Sequence, residues 1–71
     1  MCVASLKSMT LSIKAKKALL AIGIDSEIVR LEPQMTHKGC AYGISFSCVN
    51  LQAVQDALRG KELEYSEIIR L

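Results

Sequence analysis

The stretch Tyr42-Gly43-Ile44-Ser45-Phe46-Ser47-Cys48 alternates between large apolar or cysteine side chains and small ones. This period of two predicts a β-strand with one face against a hydrophobic core. Three further short runs, at residues 2–6, 27–31 and 65–71, predict strands by weak alternation or by their β-branched residues. The alternating strand therefore belongs to a sheet of four strands.

Two helices occupy the gaps between these strands. The first carries apolar residues at helical spacing, namely Leu11, Ala15, Ala18, Leu19 and Ile22, and the second carries Leu51, Val54, Ala57 and Leu58. We expect Ser8 or Thr10 to cap the first helix and Gly23 to follow its end. Asn50 and Gly60 have the corresponding roles at the second helix.

The elements follow the order strand, helix, strand, strand, helix, strand. With right-handed crossovers this order predicts an α+β fold, the ferredoxin-like βαββαβ arrangement, in which a four-stranded antiparallel sheet carries both helices on one face. Residues 1–71 form a single domain, because 71 residues are too few for two cores. The first and third strands are adjacent, and apolar matching sets Leu6 opposite Ile44 and Cys2 opposite Cys48.

The composition excludes several classes of function. A formal net charge of +2 is too weak to indicate nucleic acid or an anionic membrane as a partner. The longest apolar run, residues 18–24, is far shorter than the roughly 20 residues of a transmembrane helix, and the first residues lack the pattern of a signal peptide. The three cysteines are odd in number and lack CxxC spacing, which favours a reducing cytoplasm.

The three cysteines are not equivalent. Cys40 and Cys48 are separated by extended chain that spans about 25 Å, so they cannot pair or share a metal within one chain. Cys2 and Cys48 continue the apolar faces of their strands, and we interpret them as small buried hydrophobic residues. A disulfide between these two in oxidised protein is the alternative.

Cys40 stands at the junction between a polar loop, Thr36-His37-Lys38-Gly39, and the third strand. Such junctions present side chains to solvent. In the predicted topology Cys40 lies beside the N-terminus of the first helix, whose free N–H groups and partial positive charge favour a thiolate. On spacing alone, a Cys40 without a chemical role is an equal alternative. The candidate anion-stabilising residues around it are Lys7, Ser8, Thr10, Lys14, Lys38 and Gly39.

Three features follow one another along the chain: Ser8-Met9-Thr10 ahead of a helix with Lys14, a hairpin with Pro33, and Gly39-Cys40-Ala41-Tyr42-Gly43-Ile44. Together they resemble the selenium/sulfur (Se/S) carrier-like family of small bacterial and archaeal proteins. The resemblance implies a cytoplasmic carrier whose Cys40 holds sulfur or selenium as a persulfide-type adduct. Such a carrier has no cofactor and is not an enzyme with its own active site. It implies a cysteine desulfurase or a selenocysteine lyase-type enzyme as donor, and an acceptor protein.

Two other functions stay open. Met9, His37 and Cys40 converge at one end of the predicted sheet as thioether, imidazole and thiolate, which are ligands suited to Cu(I), although the CxxC of copper chaperones is absent. His37 is also close enough in sequence to modify the reactivity of Cys40. A non-catalytic adaptor or homodimerisation domain would instead use the outward sheet face with its small residues, Ala41, Gly43, Ser45 and Ser47.

Neither RNA binding nor catalysis by a complete active site is favoured. The outward positions of the two central strands carry no aromatic side chain on which a base could stack. The sequence contains no recognisable Ser/His/Asp set, no phosphate-binding glycine loop and no four-ligand zinc spacing.

Overall fold

The structure is a computed structural model, and it describes residues 1–36 and 39–70 except for the side chain of Met35. The elements in chain order are β1 (Cys2–Leu6), α1 (Met9–Ala21), β2 (Glu27–Arg30), β3 (Tyr42–Phe46), α2 (Leu51–Gly60) and β4 (Glu67–Arg70). Short 3-10 turns occupy Pro33–Met35 and Cys48–Asn50. The predicted βαββαβ order is confirmed, whereas β2, β3 and β4 are shorter than the predicted strands.

The four strands form one antiparallel sheet in the order β2-β3-β1-β4. β1 and β3 are therefore central and adjacent, as the ferredoxin-like arrangement requires. The predicted register is wrong by two residues, since Ala4 lies opposite Ile44 and Cys2 lies opposite Phe46. A shift of two positions leaves every side chain on the same face of the sheet, so apolar matching alone does not distinguish the two registers.

Both helices cover the same face of this sheet. The buried core combines residues from α1, from α2 and from the two central strands; among its members are Ala4, Leu6, Ala15, Leu19, Ile44, Phe46, Val54 and Leu58. The core is aliphatic except for Phe46, in agreement with the low aromatic content. Within residues 1–36 and 39–70, no helix has the length and the hydrophobicity needed to cross a membrane.

The opposite face of the sheet is buried as well, although the sequence suggests an open face there. Val3 and Ser5 are 1% and 0% exposed, and Gly43 and Ser45 are also buried. The connection from β2 to β3 provides the cover, because the side chain of Leu31 lies against Gly43. Of the four outward small residues, Gly43 and Ser45 are buried, whereas Ala41 and Ser47 stay exposed. The adaptor or homodimer that would use this face stays a prediction.

The same connection also reaches the far edge of the sheet. Thr36 is buried and its hydroxyl donates a hydrogen bond of 2.5 Å to the carboxylate of Glu67 on β4. β2 and β4 are the two edge strands, so the chain that leaves β2 contacts β4 across the two central strands. We call residues 31–36 the strap.

The helix ends follow the sequence in part. The Ser8 hydroxyl accepts a hydrogen bond of 3.1 Å from the Leu11 N–H and caps α1, and Gly23 adopts a positive φ of 80° just after the helix. Asn50 precedes α2 but makes no capping hydrogen bond through its side chain. Gly60 is the last residue of α2 and not the residue after it, and Glu62 takes the left-handed conformation instead.

Candidate functional site

Cys40 is the free thiol of this chain, and all three cysteines lie in the part that the structure describes. Cys2 and Cys48 form a disulfide with their Cα atoms 5.1 Å apart. The interpretation of these two as unpaired buried residues is therefore replaced by the alternative that the sequence left open. Cys2 pairs with Phe46 in the sheet, whereas Cys40 precedes Tyr42 at the other end of β3, so the disulfide and the free thiol lie at opposite ends of the sheet.

Cys40 is only 6% exposed as a residue, so the expectation of a solvent-facing cysteine is wrong. The cause is local. The Leu31 N–H donates a hydrogen bond of 2.8 Å to the Ala41 carbonyl, which extends the pairing of β2 with β3 by one step beyond Arg30 and Tyr42. This bond holds the backbone next to Cys40 on the sheet.

The neighbouring residues Gly39 and Ala41 are both exposed. Gly39 has a positive φ of 73°, a conformation that L side chains rarely adopt. The glycine therefore allows the backbone conformation that leads into the buried Cys40. A Cβ at this position would meet no atom within 4 Å, so the backbone conformation and not space favours glycine here.

The thiol of Cys40 donates a hydrogen bond of 3.1 Å to the hydroxyl of Ser66. The backbone of Ser66 is itself held by β1, because its N–H donates a hydrogen bond of 2.8 Å to the Ser5 carbonyl. Sequence analysis missed Ser66, which lies 26 residues from Cys40 and directly before β4. Only the adjacency of β1 to both β3 and β4 brings the two side chains together.

The predicted anion site at α1 is partly in place. Tyr42 pairs with Leu6 at the end of the β1–β3 ladder, so Cys40 and Ser8 leave the sheet at the same end. However, the Ser8 hydroxyl serves as the helix cap, and the hydrogen bond of the thiol goes to Ser66. Thr10 and Lys14 are exposed on α1. The roles of Ser8, Thr10 and Lys14 toward Cys40 stay predictions, and Lys38 lies outside the described residues.

An open groove of about 310 Å³ runs beside the thiol's partner. Its lining consists of Lys7, Glu64, Tyr65 and Ser66. The side chain of Tyr65 is held in place by α2, because its hydroxyl accepts a hydrogen bond of 3.1 Å from the Gln55 side chain. The groove therefore places Lys7, one of the predicted lysines, on the same opening as Ser66, the residue that the thiol contacts.

The copper alternative requires three side chains that the structure does not describe together. Met9 is 42% exposed at the start of α1, and His37 lies outside the described residues. Over residues 1–36 and 39–70, no cluster of three or more His, Cys, Asp or Glu side chains is placed to hold a metal ion. The structure therefore gives no support for a Cu(I) site at Met9.

The sequence matches the model of one protein family, described as "Putative Se/S carrier protein-like", over residues 1–70. No match was found among curated proteins or among solved structures. The matched range contains the free thiol, its hydroxyl partner and the whole sheet.

Proposed function

The chain belongs to the Se/S carrier-like family, and from this premise we propose that it carries sulfur or selenium on Cys40 as a persulfide or a selenopersulfide. A donor enzyme of the cysteine desulfurase or selenocysteine lyase type supplies the atom, and an acceptor protein removes it. The carrier works in the cytoplasm, where Cys2 and Cys48 are a pair of thiols that form their disulfide in oxidised protein, and it has no catalytic site of its own. The family supports the class of cargo, and the geometry at Cys40 supports the attachment residue.

The loading step is an exchange between sulfur centres without net oxidation. The Cys40 sulfur attacks the terminal atom of the donor's persulfide, R–S–SH, or selenopersulfide, R–S–SeH. A bond from the Cys40 sulfur to that atom forms while the donor's bond to it breaks. The donor leaves as a thiol that takes up the proton lost by Cys40. Release is the same exchange in reverse, with a nucleophile of the acceptor attacking the terminal atom and the Cys40 thiol departing.

The observation that carries this proposal is that Cys40 is the free thiol while the other two cysteines bind each other at the opposite end of the sheet. A second thiol near a persulfide would attack the inner sulfur and expel the cargo as sulfide or selenide, leaving a disulfide. Reduction of the Cys2–Cys48 disulfide does not bring either thiol to Cys40, because β3 separates them. An isolated cysteine is what a carrier needs.

The burial of Cys40 fits storage better than rapid exchange. A cysteine residue that is only 6% exposed is screened from small thiols that would remove the cargo. Transfer between two proteins then needs the donor's persulfide to approach through the groove at Ser66, or the strap to move. The strap is held by the hydrogen bond between Thr36 and Glu67, which lies on the opposite side of the sheet from both helices.

The test is a loading assay with a cysteine desulfurase and cysteine, or with a selenocysteine lyase and selenocysteine. We expect peptide mapping to find an adduct on Cys40 that reducing agents remove. The adduct should be absent from Cys40→Ser and present in the matched control Cys2→Ser/Cys48→Ser. An adduct that persists in Cys40→Ser, or wild-type protein that takes up neither element, overturns the proposal.

A further inference from the structure

We propose that the transferred sulfur or selenium atom lies in the groove lined by Lys7, Tyr65 and Ser66, with the Ser66 hydroxyl as its hydrogen-bond donor. This inference rests on the proposed function, because it places the cargo of Cys40. It assigns to Ser66 the task of positioning the loaded sulfur, a task that the sequence does not suggest.

The direction of the thiol is the first argument. The hydrogen bond of 3.1 Å aims the Cys40 S–H bond at the Ser66 oxygen. In the loaded protein the added atom replaces that hydrogen at an S–S distance of about 2.05 Å. It therefore cannot lie on the 3.1 Å line to the Ser66 oxygen, and it turns to the side of that line, where the Ser66 hydroxyl is still within hydrogen-bond distance. Ser66 is half-buried and lines the groove, so the groove is the open space next to the residue that the thiol contacts.

The chemistry of the Ser66 hydroxyl is the second argument. A hydroxyl accepts a hydrogen bond from a thiol and, after rotation of its own proton, donates one to an anion. A persulfide or selenopersulfide anion therefore gains a donor where the resting thiol has an acceptor. Hydrogen bonds to charged groups are about twice as strong as those between neutral groups, so the contact strengthens when the cargo arrives.

Charge around the groove is the third argument. Lys7 lines the groove together with Ser66 and is exposed, so its ammonium can turn toward an anion there. Lys7 directly follows β1, and Ser66 is anchored to β1 through the Ser5 carbonyl. The two residues are therefore held on neighbouring chains at one end of the sheet. Glu64 also lines the groove, and its carboxylate opposes an anion that moves outward from Ser66.

The helix N-terminus is less suited to this task. The hydroxyl of Ser8 already accepts the Leu11 N–H, and the Ser8 carbonyl accepts both the N–H and the hydroxyl of Ser12. A cargo atom at Ser8 would have to displace the cap of α1. A cargo atom at Ser66 would not displace a helix cap, because the Ser66 hydroxyl contacts the thiol itself.

The experiment measures how long loaded Cys40 survives in a fixed excess of a small thiol. Wild type, Ser66→Ala and Ser66→Thr are loaded by the desulfurase, separated from it and followed by the near-ultraviolet absorption of the persulfide anion and by mass. We expect the half-life to fall roughly tenfold in Ser66→Ala, because the anion loses its donor and the reactive neutral form becomes more populated. Ser66→Thr keeps the hydroxyl and should restore the wild-type half-life.

Two further variants keep the test decisive. Ser47→Ala removes an exposed hydroxyl at the other end of β3 and should leave the half-life unchanged. Lys7→Glu alters only an exposed side chain, so it does not threaten folding, and we expect it to shorten the half-life severalfold. Equal half-lives for wild type, Ser66→Ala and Lys7→Glu overturn the placement of the cargo. Wild-type protein that never loads overturns the proposed function instead, so the two failures are distinct.

Discussion

The hydroxyl of Thr36 donates a hydrogen bond of 2.5 Å to the carboxylate of Glu67, although the two residues come from connections and strands at opposite edges of the sheet. Thr36 follows β2, one edge strand, and Glu67 begins β4, the other edge strand. The bond therefore fixes the strap across the face that the helices leave open. Glu67 directly follows Ser66, so two consecutive residues contact the end of the strap and the thiol.

Removal of this bond should make Cys40 easier to reach. Thr36→Val keeps the shape of the side chain but loses the hydroxyl, and a hydrogen bond to a charged group contributes about 1.5–3 kcal/mol. We expect the rate at which iodoacetamide alkylates Cys40 in the folded protein to rise severalfold. Thr10→Val, an exposed position on α1, is the control and should alkylate at the wild-type rate. A Thr36→Val variant as slow as wild type would show that the strap does not limit access.

Gly43 is required by the close approach of β1 to β3. A Cβ at this position would lie 2.8 Å from the Ala4 carbonyl oxygen and 2.9 Å from Val3 Cγ1. Because backbone cannot yield easily, we expect Gly43→Ala to lower the free energy of unfolding by about 1–3 kcal/mol. Urea denaturation measures this change.

The matched control is Gly60→Ala. Gly60 ends α2, and a Cβ there would meet no atom within 4 Å. Alanine favours the helix over glycine, so this variant should be neutral or slightly more stable, by up to about 1 kcal/mol. If both substitutions destabilise equally, the close approach at Gly43 is not the reason for glycine.

The order of elements, the central pair β1 and β3 and the cap at Ser8 could be predicted from the sequence. These features depend on local patterns, namely the alternation at 42–48, the helical spacing of apolar residues and a hydroxyl before a helix. The register of β1 with β3 could not be predicted, because a shift of two residues keeps Ala4 and Leu6 on the core side and leaves the apolar matching equally good.

The covered face and the hydroxyl partner of Cys40 depend on contacts between distant parts of the chain. Ser66 is 26 residues from Cys40, and no local pattern marks it. A weak signal for the strap was present in Gly43, a glycine within a strand, and in Leu31, an apolar residue at the start of a connection. Glycine inside a strand often marks the close approach of another segment.

The disulfide should stabilise the fold without affecting the cargo site. Replacing Cys2 and Cys48 by alanine opens a covalent loop of sequence separation 46. We expect the free energy of unfolding to fall by roughly 2–4 kcal/mol relative to the oxidised protein. Loading of Cys40 should proceed unchanged, because the disulfide lies at the other end of the sheet.

Urea denaturation of oxidised and reduced wild-type protein is the companion measurement. Reduction should lower the free energy of unfolding, and Cys40→Ser, which keeps the disulfide, should unfold like the oxidised protein. A double alanine variant that no longer loads Cys40 would contradict the separation of the two cysteine sites.

The most direct measurement follows one labelled atom through a complete transfer. Protein loaded with isotopically labelled sulfur is separated from the desulfurase, mixed with an unlabelled acceptor thiol and analysed as the intact chain. The account predicts one labelled sulfur per chain on Cys40, its arrival on the acceptor, and a regenerated Cys40 thiol with the Cys2–Cys48 disulfide intact. Label distributed over all three cysteines, or label that leaves only when a new disulfide forms at Cys40, would contradict it.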